Sequence, residues 1–218
     1  MKSKIKAGII IFPGTNCDFD LFKALRYLNF NIDYIWANDN KDLTNYDIVF
    51  LPGGFSYGDY LHAGRLAKFS PILSDVKNFI NKKSGFTVGI CNGFQILCEA
   101  KLLLGALTDN LSNKFICNNQ KLILNLNNNK IKRITLPIAH SQGRFFCSSD
   151  TLKFIKDNNM DFLKYENNPN GSIIDIAGLY DKKNRVIGLM PHPERAVNSY
   201  SGLNDGVLFF NHLISELL

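Results

Sequence analysis

The stretch Val88-Gly89-Ile90-Cys91-Asn92-Gly93-Phe94-Gln95 sets a cysteine between two glycines, where an apolar run passes into a helical pattern. This is the G-x-nucleophile-x-G spacing of a nucleophile elbow. The need for glycine is steric: a nucleophile at the tip of so tight a turn has a strained backbone, and both flanking positions must lack a side chain. The turn also puts the sulfur at a helix N-terminus, where the dipole favours thiolate over thiol. A second loop, Leu189-Met190-Pro191-His192-Pro193-Glu194-Arg195, holds a histidine between two prolines, which restricts its backbone and lets the ring be aimed. Glu194 can accept from one ring nitrogen and leave the other to face a thiol, the logic of a nucleophile–base–orienter triad. A third loop, Leu51-Pro52-Gly53-Gly54-Phe55-Ser56-Tyr57-Gly58-Asp59, follows another apolar run. One of Gly53 and Gly54 can turn its N–H outward and, with the N–H of Asn92, complete an oxyanion hole. The three loops together point to acyl transfer from an amide or ester through a thioester on Cys91.

An elbow needs a strand before it and a helix after it, and the chain supplies both. Runs at 5–12, 32–36, 48–51 and 86–90 are rich in β-branched residues, apolar on both faces, and closed by Gly, Pro or Asn, as buried parallel strands are. Helical patterns at 19–28, 70–82 and 93–101 alternate with them, the second opened by Ser70 as N-cap and Pro71 as first helical residue. This alternation predicts an α/β fold, an open, mostly parallel, flavodoxin-like sheet with helices on both faces, whose sites lie beyond the carboxyl ends of strands. From residue 121 the texture changes to strand-like runs at 121–126, 131–138, 144–147, 162–165, 174–180 and 186–190. Turn signals at 127–129, 168–171 and 181–184 join several of them into an antiparallel extension. A helix at 149–158 interrupts these strands, and an amphipathic helix at 203–217 closes the chain. No linker-like stretch divides the halves, so a single domain over residues 1–218 is expected.

Whole-chain properties exclude several function classes. With 45% hydrophobic and 20% charged residues, the 218-residue chain has the profile of a globular rather than a disordered protein. No apolar run approaches the ~18 residues of a membrane span. The basic start Met1-Lys2-Ser3-Lys4-Ile5-Lys6 is followed by an apolar stretch that breaks at Pro13-Gly14, which reads as a first buried strand and not a signal peptide. A cytoplasmic location without a membrane partner is the expectation. The cysteines (Cys17, Cys91, Cys98, Cys117 and Cys147) are odd in number and lack a CxxC pair, against a disulfide framework or a zinc site. No bound metal is therefore expected. A net charge of +6 raises the question of nucleic acid. The lysines are scattered, however, and form no stripe interleaved with aromatics. A basic surface of this kind suits a phosphorylated metabolite or an acidic protein partner instead.

Longer stretches go beyond generic chemistry. Gly89-Ile90-Cys91-Asn92-Gly93-Phe94-Gln95, Pro52-Gly53-Gly54 and His192-Pro193-Glu194 together resemble the class I, or triad, glutamine amidotransferases. Phe12-Pro13-Gly14-Thr15-Asn16-Cys17-Asp18, LPGGFSYGDYL from Leu51 to Leu61, CNGFQIL from Cys91 to Leu97, and Met190-Pro191-His192-Pro193-Glu194-Arg195 narrow the likeness. They are similar to the glutaminase subunits of phosphoribosylformylglycinamidine synthase, as are Pro137-Ile138-Ala139-His140 and Asn168-Pro169-Asn170-Gly171-Ser172. The resemblance implies that Cys91 attacks the side-chain amide of L-glutamine while N–H groups near Gly54 and Asn92 hold the oxyanion. His192, oriented by Glu194, would protonate the departing ammonia and then activate water. Gln95 would help hold the substrate, with Phe55, Ser56 and His140 as further candidates. The resemblance also implies a large synthetase subunit, which uses ATP and magnesium to aminate formylglycinamide ribonucleotide in purine synthesis, and a small third subunit. This chain has neither a Walker A loop nor a kinase-like glycine loop, so no cofactor is expected in it. Ser141-Gln142, His62, Arg65 and Asn118 depart from the family pattern, where Gly-Glu, Arg, Ala and Arg are expected.

Two other readings compete. A stress-response or peptidase-like relative would use the same cysteine elbow without depending on Glu194, and the His-Pro-Glu loop argues against it. A non-catalytic basic module binding nucleic acid would have no use for all three triad residues. Of the other cysteines, Cys17 and Cys98 read as packing residues, and Cys117 and Cys147 sit in apolar strand contexts. His212 reads as a surface or packing residue of the last helix.

Overall fold

The computed structural model describes residues 5–126, 130–198 and 202–217. The elements, in chain order, are β1 (Lys6–Ile11), α1 (Asp18–Tyr27), β2 (Asn31–Trp36), β3 (Ile48–Leu51), α2 (Ile72–Asn81), β4 (Phe86–Ile90) and α3 (Asn92–Glu99). They continue with β5 (Ala106–Thr108), β6 (Ile116–Leu126), β7 (Lys130–His140), β8 (Arg144–Phe146), α4 (Ser149–Asp157), β9 (Leu163–Tyr165), β10 (Ile176–Asp181), β11 (Val186–Leu189) and α5 (Gly206–Leu217). The chain forms two compact units, one of Met1–Leu103 with Asp181–Gly188, the other of Leu104–Tyr180 with Leu189–Leu218.

The first unit carries a sheet ordered β2-β1-β3-β4-β11. Strand β1 runs parallel to both β2 and β3, and β3 runs parallel to β4. This is the doubly wound order, with its topological switch between β1 and β3, where loops leaving the carboxyl ends diverge and make room for a ligand. Strands β3 and β4 are buried along their whole length, as runs apolar but for Thr87 require. Strand β2 corrects the expectation of burial on both faces. It is an edge strand, and Tyr34 and Trp36 stand on it 46% and 58% exposed. Helix α2 buries Ile72, Leu73, Val76, Phe79 and Ile80, one stripe at i, i+1, i+4, i+7 and i+8 spacing. It begins at Ile72, with Pro71 rather than Ser70 in the capping position. The Ser70 hydroxyl is instead 2.9 Å from that of Tyr57, which removes it from capping.

The second unit is antiparallel. Strands β6 and β7 form a long hairpin in continuous register from Ile116↔His140 to Leu126↔Lys130. Strand β9 joins β6, and β10 joins β9. The hairpin begins before residue 121, because exposed polar residues such as Asn118 and Asn119 still pair through their backbones with β7. The turn signal at 127–129 and the basic start at 1–4 lie outside the described residues. A separate pair, β5 with β8, holds three residues on each side. Strand β8 answers to the run at 144–147, whereas β5 had no signature in the sequence, since so short a run shows no period. Helix α4 is capped by Ser148, whose Oγ accepts from the Thr151 N–H at 3.2 Å. Helix α5 starts at Gly206, a few residues later than its apolar pattern suggests, and buries Phe209, Phe210 and Leu213. Parallel strands in one unit and antiparallel strands in the other, with five α-helices among the described residues, give the α/β class expected from the sequence. Among the described residues no helix is long and apolar enough to cross a membrane.

Candidate active site

The thiol part of the site is built in the first unit. Cys91 leaves β4 and caps α3 at φ 50°, ψ −104°, a backbone state that non-glycine residues adopt at a cost in strain. The two glycines have separate steric reasons. A Cβ on Gly89 would lie 2.6 Å from the Gly93 carbonyl, and one on Gly93 would collide with the carbonyl oxygen of Leu51 in β3. The elbow is thus packed backbone against backbone between β3 and α3, and any side chain at either position would push the sulfur out of place.

The loop after β3 lies beside the loop after β1. Thr15 and Gly54 form an isolated antiparallel bridge, in which the Phe55 N–H donates to the Gly14 carbonyl at 3.1 Å and the Cys17 N–H to the Gly53 carbonyl at 3.2 Å. Because the flanking residues make the bonds, the N–H of Gly54 is turned away from the bridge. Gly54 sits at φ +141°, and a Cβ there would be 2.7 Å from the Asn16 nitrogen. Asn92, the first residue of α3, has an N–H with no intrahelical acceptor. Both N–H groups suit an oxyanion.

The Asn92 side chain ties these loops together. Its Oδ1 accepts from the Ser56 N–H at 3.1 Å, which fixes the amide orientation. Its Nδ2 donates to Asp59 Oδ1 at 3.2 Å and to Gln95 Oε1 at 2.9 Å. Ser56 and Gln95 are buried, while Phe55 is 46% exposed. Ser56 Oγ has no hydrogen-bond partner among the described residues. Burial raises the Asp59 carboxyl to about 6, against the opposing pull of the Asn92 hydrogen bond and the His62 charge. Further along, Gly64 rests on the backbone of Gln95 and Ile96, where a Cβ would be 2.7 Å from the Ile96 nitrogen. His62, Arg65 and Lys68 then converge on Glu99 at 3.4, 3.5 and 3.3 Å. Two of the departures from the family pattern, His62 and Arg65, therefore serve to fasten this loop along α3.

The imidazole part is built in the second unit. The N–H of His192 donates to the Pro137 carbonyl of β7 at 2.8 Å, and Pro193–Arg195 form a single 3-10 turn. Gly206, at the head of α5, closes against this turn, and a Cβ there would meet the Pro193 carbonyl. With the backbone so held, His192 Nδ1 lies 2.6 Å from Glu194 Oε1, and both side chains are only 1% exposed. A carboxylate on Nδ1 makes that atom the protonated one, so Nε2 is the basic nitrogen of the ring.

His140, at the end of β7, is 3% exposed. Its Nδ1 is 3.0 Å from Asn110 Oδ1. The Asn110 amide has one possible orientation: its Nδ2 donates to the carbonyls of Lys114 and His140, and its Oδ1 also accepts from the Gly143 N–H. Asn110 Oδ1 is therefore an acceptor, His140 Nδ1 carries the proton, and Nε2 presents a lone pair. That Nε2 has no hydrogen-bond partner among the described residues. Burial, followed by the charge of His192, lowers His140 to about 4 and keeps the ring neutral at pH 7. Asn110 carried no signal in the sequence, and only the topology shows its role.

The structure thus gathers Cys91, Gly53, Gly54, Asn92, Gln95 and Ser56 in one unit, and His192, Glu194 and His140 in the other. The remaining cysteines are of two kinds. Cys17, Cys98 and Cys147 are buried, and burial and the Glu99 charge push the Cys98 thiol far up. Cys117 is exposed, contrary to its apolar strand context, because this end of β6 is uncovered on both faces, with Asn118 and Asn119 exposed beside it.

An elbow cysteine at the end of a parallel strand and a carboxylate-bound histidine are parts of the kind an amidotransferase uses, and residues 4–203 match the CobB/CobQ-like glutamine amidotransferase domain. Two PurQ subunits of phosphoribosylformylglycinamidine synthase, from strains of Prochlorococcus marinus, are 47% and 48% identical to the chain, over 96% and 95% of its length and 99% and 96% of theirs. A chain in the structure of PurLQS from Thermotoga maritima superposes with a TM-score of 0.89 at 38% identity, covering 99% of this chain and 100% of that one. The chain belongs to the PurQ family of glutamine amidotransferases.

Proposed function

We propose that this chain is the glutaminase subunit of phosphoribosylformylglycinamidine synthase, acting as a single glutamine amidotransferase domain. The observation that carries the reading is Cys91 at φ 50° between Gly89 and Gly93, both closed to any side chain; the N–H groups of Gly54 and Asn92 serve as the oxyanion hole in this reading. Cys91 Sγ gives its proton to His192 Nε2 and attacks the carbonyl carbon of the glutamine side chain. The carbonyl oxygen takes up the negative charge and is held by the two N–H groups, where one such donor is worth about 10²–10³ in rate. His192 then protonates the amide nitrogen, the C–N bond breaks, and ammonia leaves a γ-glutamyl thioester on Cys91. Water, deprotonated by His192, adds to the thioester and releases glutamate and the thiol. Glu194 holds the ring in the tautomer that makes Nε2 the base.

Gln95 and His140 contact the substrate in this reading, with Phe55 and Ser56 at the edges. The His140 lone pair suits an N–H of glutamine, which a protonated ring would repel. The ammonia passes to a large synthetase subunit, where ATP and magnesium drive amination of formylglycinamide ribonucleotide, and a third small subunit joins the assembly. The likeness to PurLQS supports these partners, and the lack of a nucleotide loop in the chain fits ATP chemistry housed elsewhere. The reaction is placed in the cytoplasm. A glutamine-mimicking electrophile tests the proposal: the adduct is expected on Cys91 in the presence of the synthetase subunit. Labelling of another cysteine instead, or of none, refutes it.

A further inference from the structure

We propose that Asp59 is a positioning residue for glutamine hydrolysis, holding through the Asn92 side chain the peptide N–H that follows the nucleophile; the inference rests on the reading of Cys91 as that nucleophile. Both hydrogens of Asn92 Nδ2 are used, one by Asp59 and one by Gln95, and its Oδ1 is used by the Ser56 N–H. The amide of Asn92 is therefore fixed at three points, of which two are neutral groups and one is a carboxylate. The bond to Asp59 Oδ1, at 3.2 Å, takes the amide hydrogen that Gln95 leaves and so removes the last freedom of the side chain to turn. The amide in turn belongs to the residue whose N–H stands at the first turn of α3, directly after Cys91.

The loop that brings Asp59 to this position is costly in conformation. Tyr57, Gly58 and Asp59 have φ of 52°, 68° and 53°, and Leu61 has 68°. Consecutive left-handed residues persist only where the surroundings hold them. Here the surroundings are α3, gripped at its start by Asp59 and Ser56, along its middle by Gly64 and at its end by the bonds to Glu99. Burial also disfavours the charged form of the Asp59 carboxyl, as described above. Half-buried carboxyls of this kind cluster at functional sites.

Two substitutions separate the task from the fold. Asp59→Gly removes the carboxylate and is free of strain at φ 53°, so the loop keeps its path. Asp59→Asn keeps an acceptor oxygen and tolerates the left-handed conformation. In the complex with the synthetase subunit, Asp59→Gly is expected to lower kcat for glutamine hydrolysis about tenfold or more, with KM changed less than about twofold, as loss of an oriented oxyanion donor demands. Asp59→Asn is expected to restore kcat to within about threefold of wild type. Alkylation of Cys91 by iodoacetamide, which forms no oxyanion, is expected to proceed at the wild-type rate in both variants. Wild-type kcat in Asp59→Gly overturns the inference, and so does an equal loss in Asp59→Asn. A rise in KM without a fall in kcat also overturns it. Wild type and Cys91→Ser are measured alongside: full hydrolysis by Cys91→Ser would sink the nucleophile assignment itself, a different result from an inert Asp59.

Discussion

His140 makes the protein sensitive to acid in a way that can be worked out from its surroundings. The folded ring holds its proton affinity at about 4, against an ordinary 6.5, because it is buried and faces the charge of His192. In the unfolded chain the ring takes up a proton as the pH falls through 6.5, and in the folded chain it does not. The stability contributed by the neutral ring is therefore complete above pH 6.5, declines as the pH falls, and is gone below about 4. At about 1.36 kcal/mol per pH unit of difference, the loss across that window is about 3 kcal/mol. Asp59 works in the opposite sense, since its carboxyl is raised to about 6, and its protonation adds stability as the pH falls from 6 toward 3.8. Urea unfolding from pH 7.5 to 4, on wild type and on His140→Asn, isolates the first effect. The variant is expected to be less stable at pH 7.5, because a buried ring packed against Gly143 is gone, yet to lose about 3 kcal/mol less on the way to pH 4. ¹⁵N spectra of the imidazole are expected to show a proton on Nδ1 and a bare Nε2 at pH 7. Parallel stability curves for the two proteins, or a ring titrating near 6.5, would refute the reasoning.

Glu194→Gln is expected to cut glutamine hydrolysis by about 10²–10⁴ with little change in melting temperature, since it spoils the tautomer of His192 and not the fold; a steady-state assay of glutamate release checks it, and wild-type kcat would remove Glu194 from the triad. Gly93→Ala is expected to unseat the elbow, because its Cβ meets the Leu51 carbonyl; loss of both Cys91 labelling and several degrees of melting temperature is the expected result. At pH 8 iodoacetamide is expected to modify exposed Cys117 and to spare Cys98, whose thiol is buried and pushed up, as peptide mapping would show. The isolated chain is expected to hydrolyse glutamine slowly and its synthetase partner to accelerate it; equal rates with and without the partner would disprove coupled activation.

Much of this site could be read from the residues alone, because its parts are local. The glycines around Cys91, the prolines around His192 and the Gly53-Gly54 pair each act over a few positions, and spacing is enough to show them. The strands that carry them were equally plain, since β3 is apolar throughout and β4 is apolar but for Thr87. What escaped was set by tertiary context. The edge position of β2 depends on which strand has no second neighbour, and its apolar residues read the same either way. The early start of β6 lies in backbone pairing beneath polar side chains. The orientation of His140 depends on Asn110, thirty positions away in the chain, and the hold of Asp59 on Asn92 joins two loops that no periodicity links.

The chain leaves the first unit at Leu103 and returns to complete it with Asp181–Gly188. Strand β4, which carries the elbow, has β11 as its outer neighbour. During synthesis β4 ends at Ile90 while β11 begins only at Val186, an interval of about 5–20 s at about 5–20 residues per second. Throughout that interval one side of an apolar strand stays uncovered, a state that chaperones bind and that aggregates when crowded. Messages truncated before Val186 are accordingly expected to yield insoluble product. His192 lies three residues beyond the end of β11, so on the proposed mechanism the base leaves the ribosome almost together with the strand that covers β4.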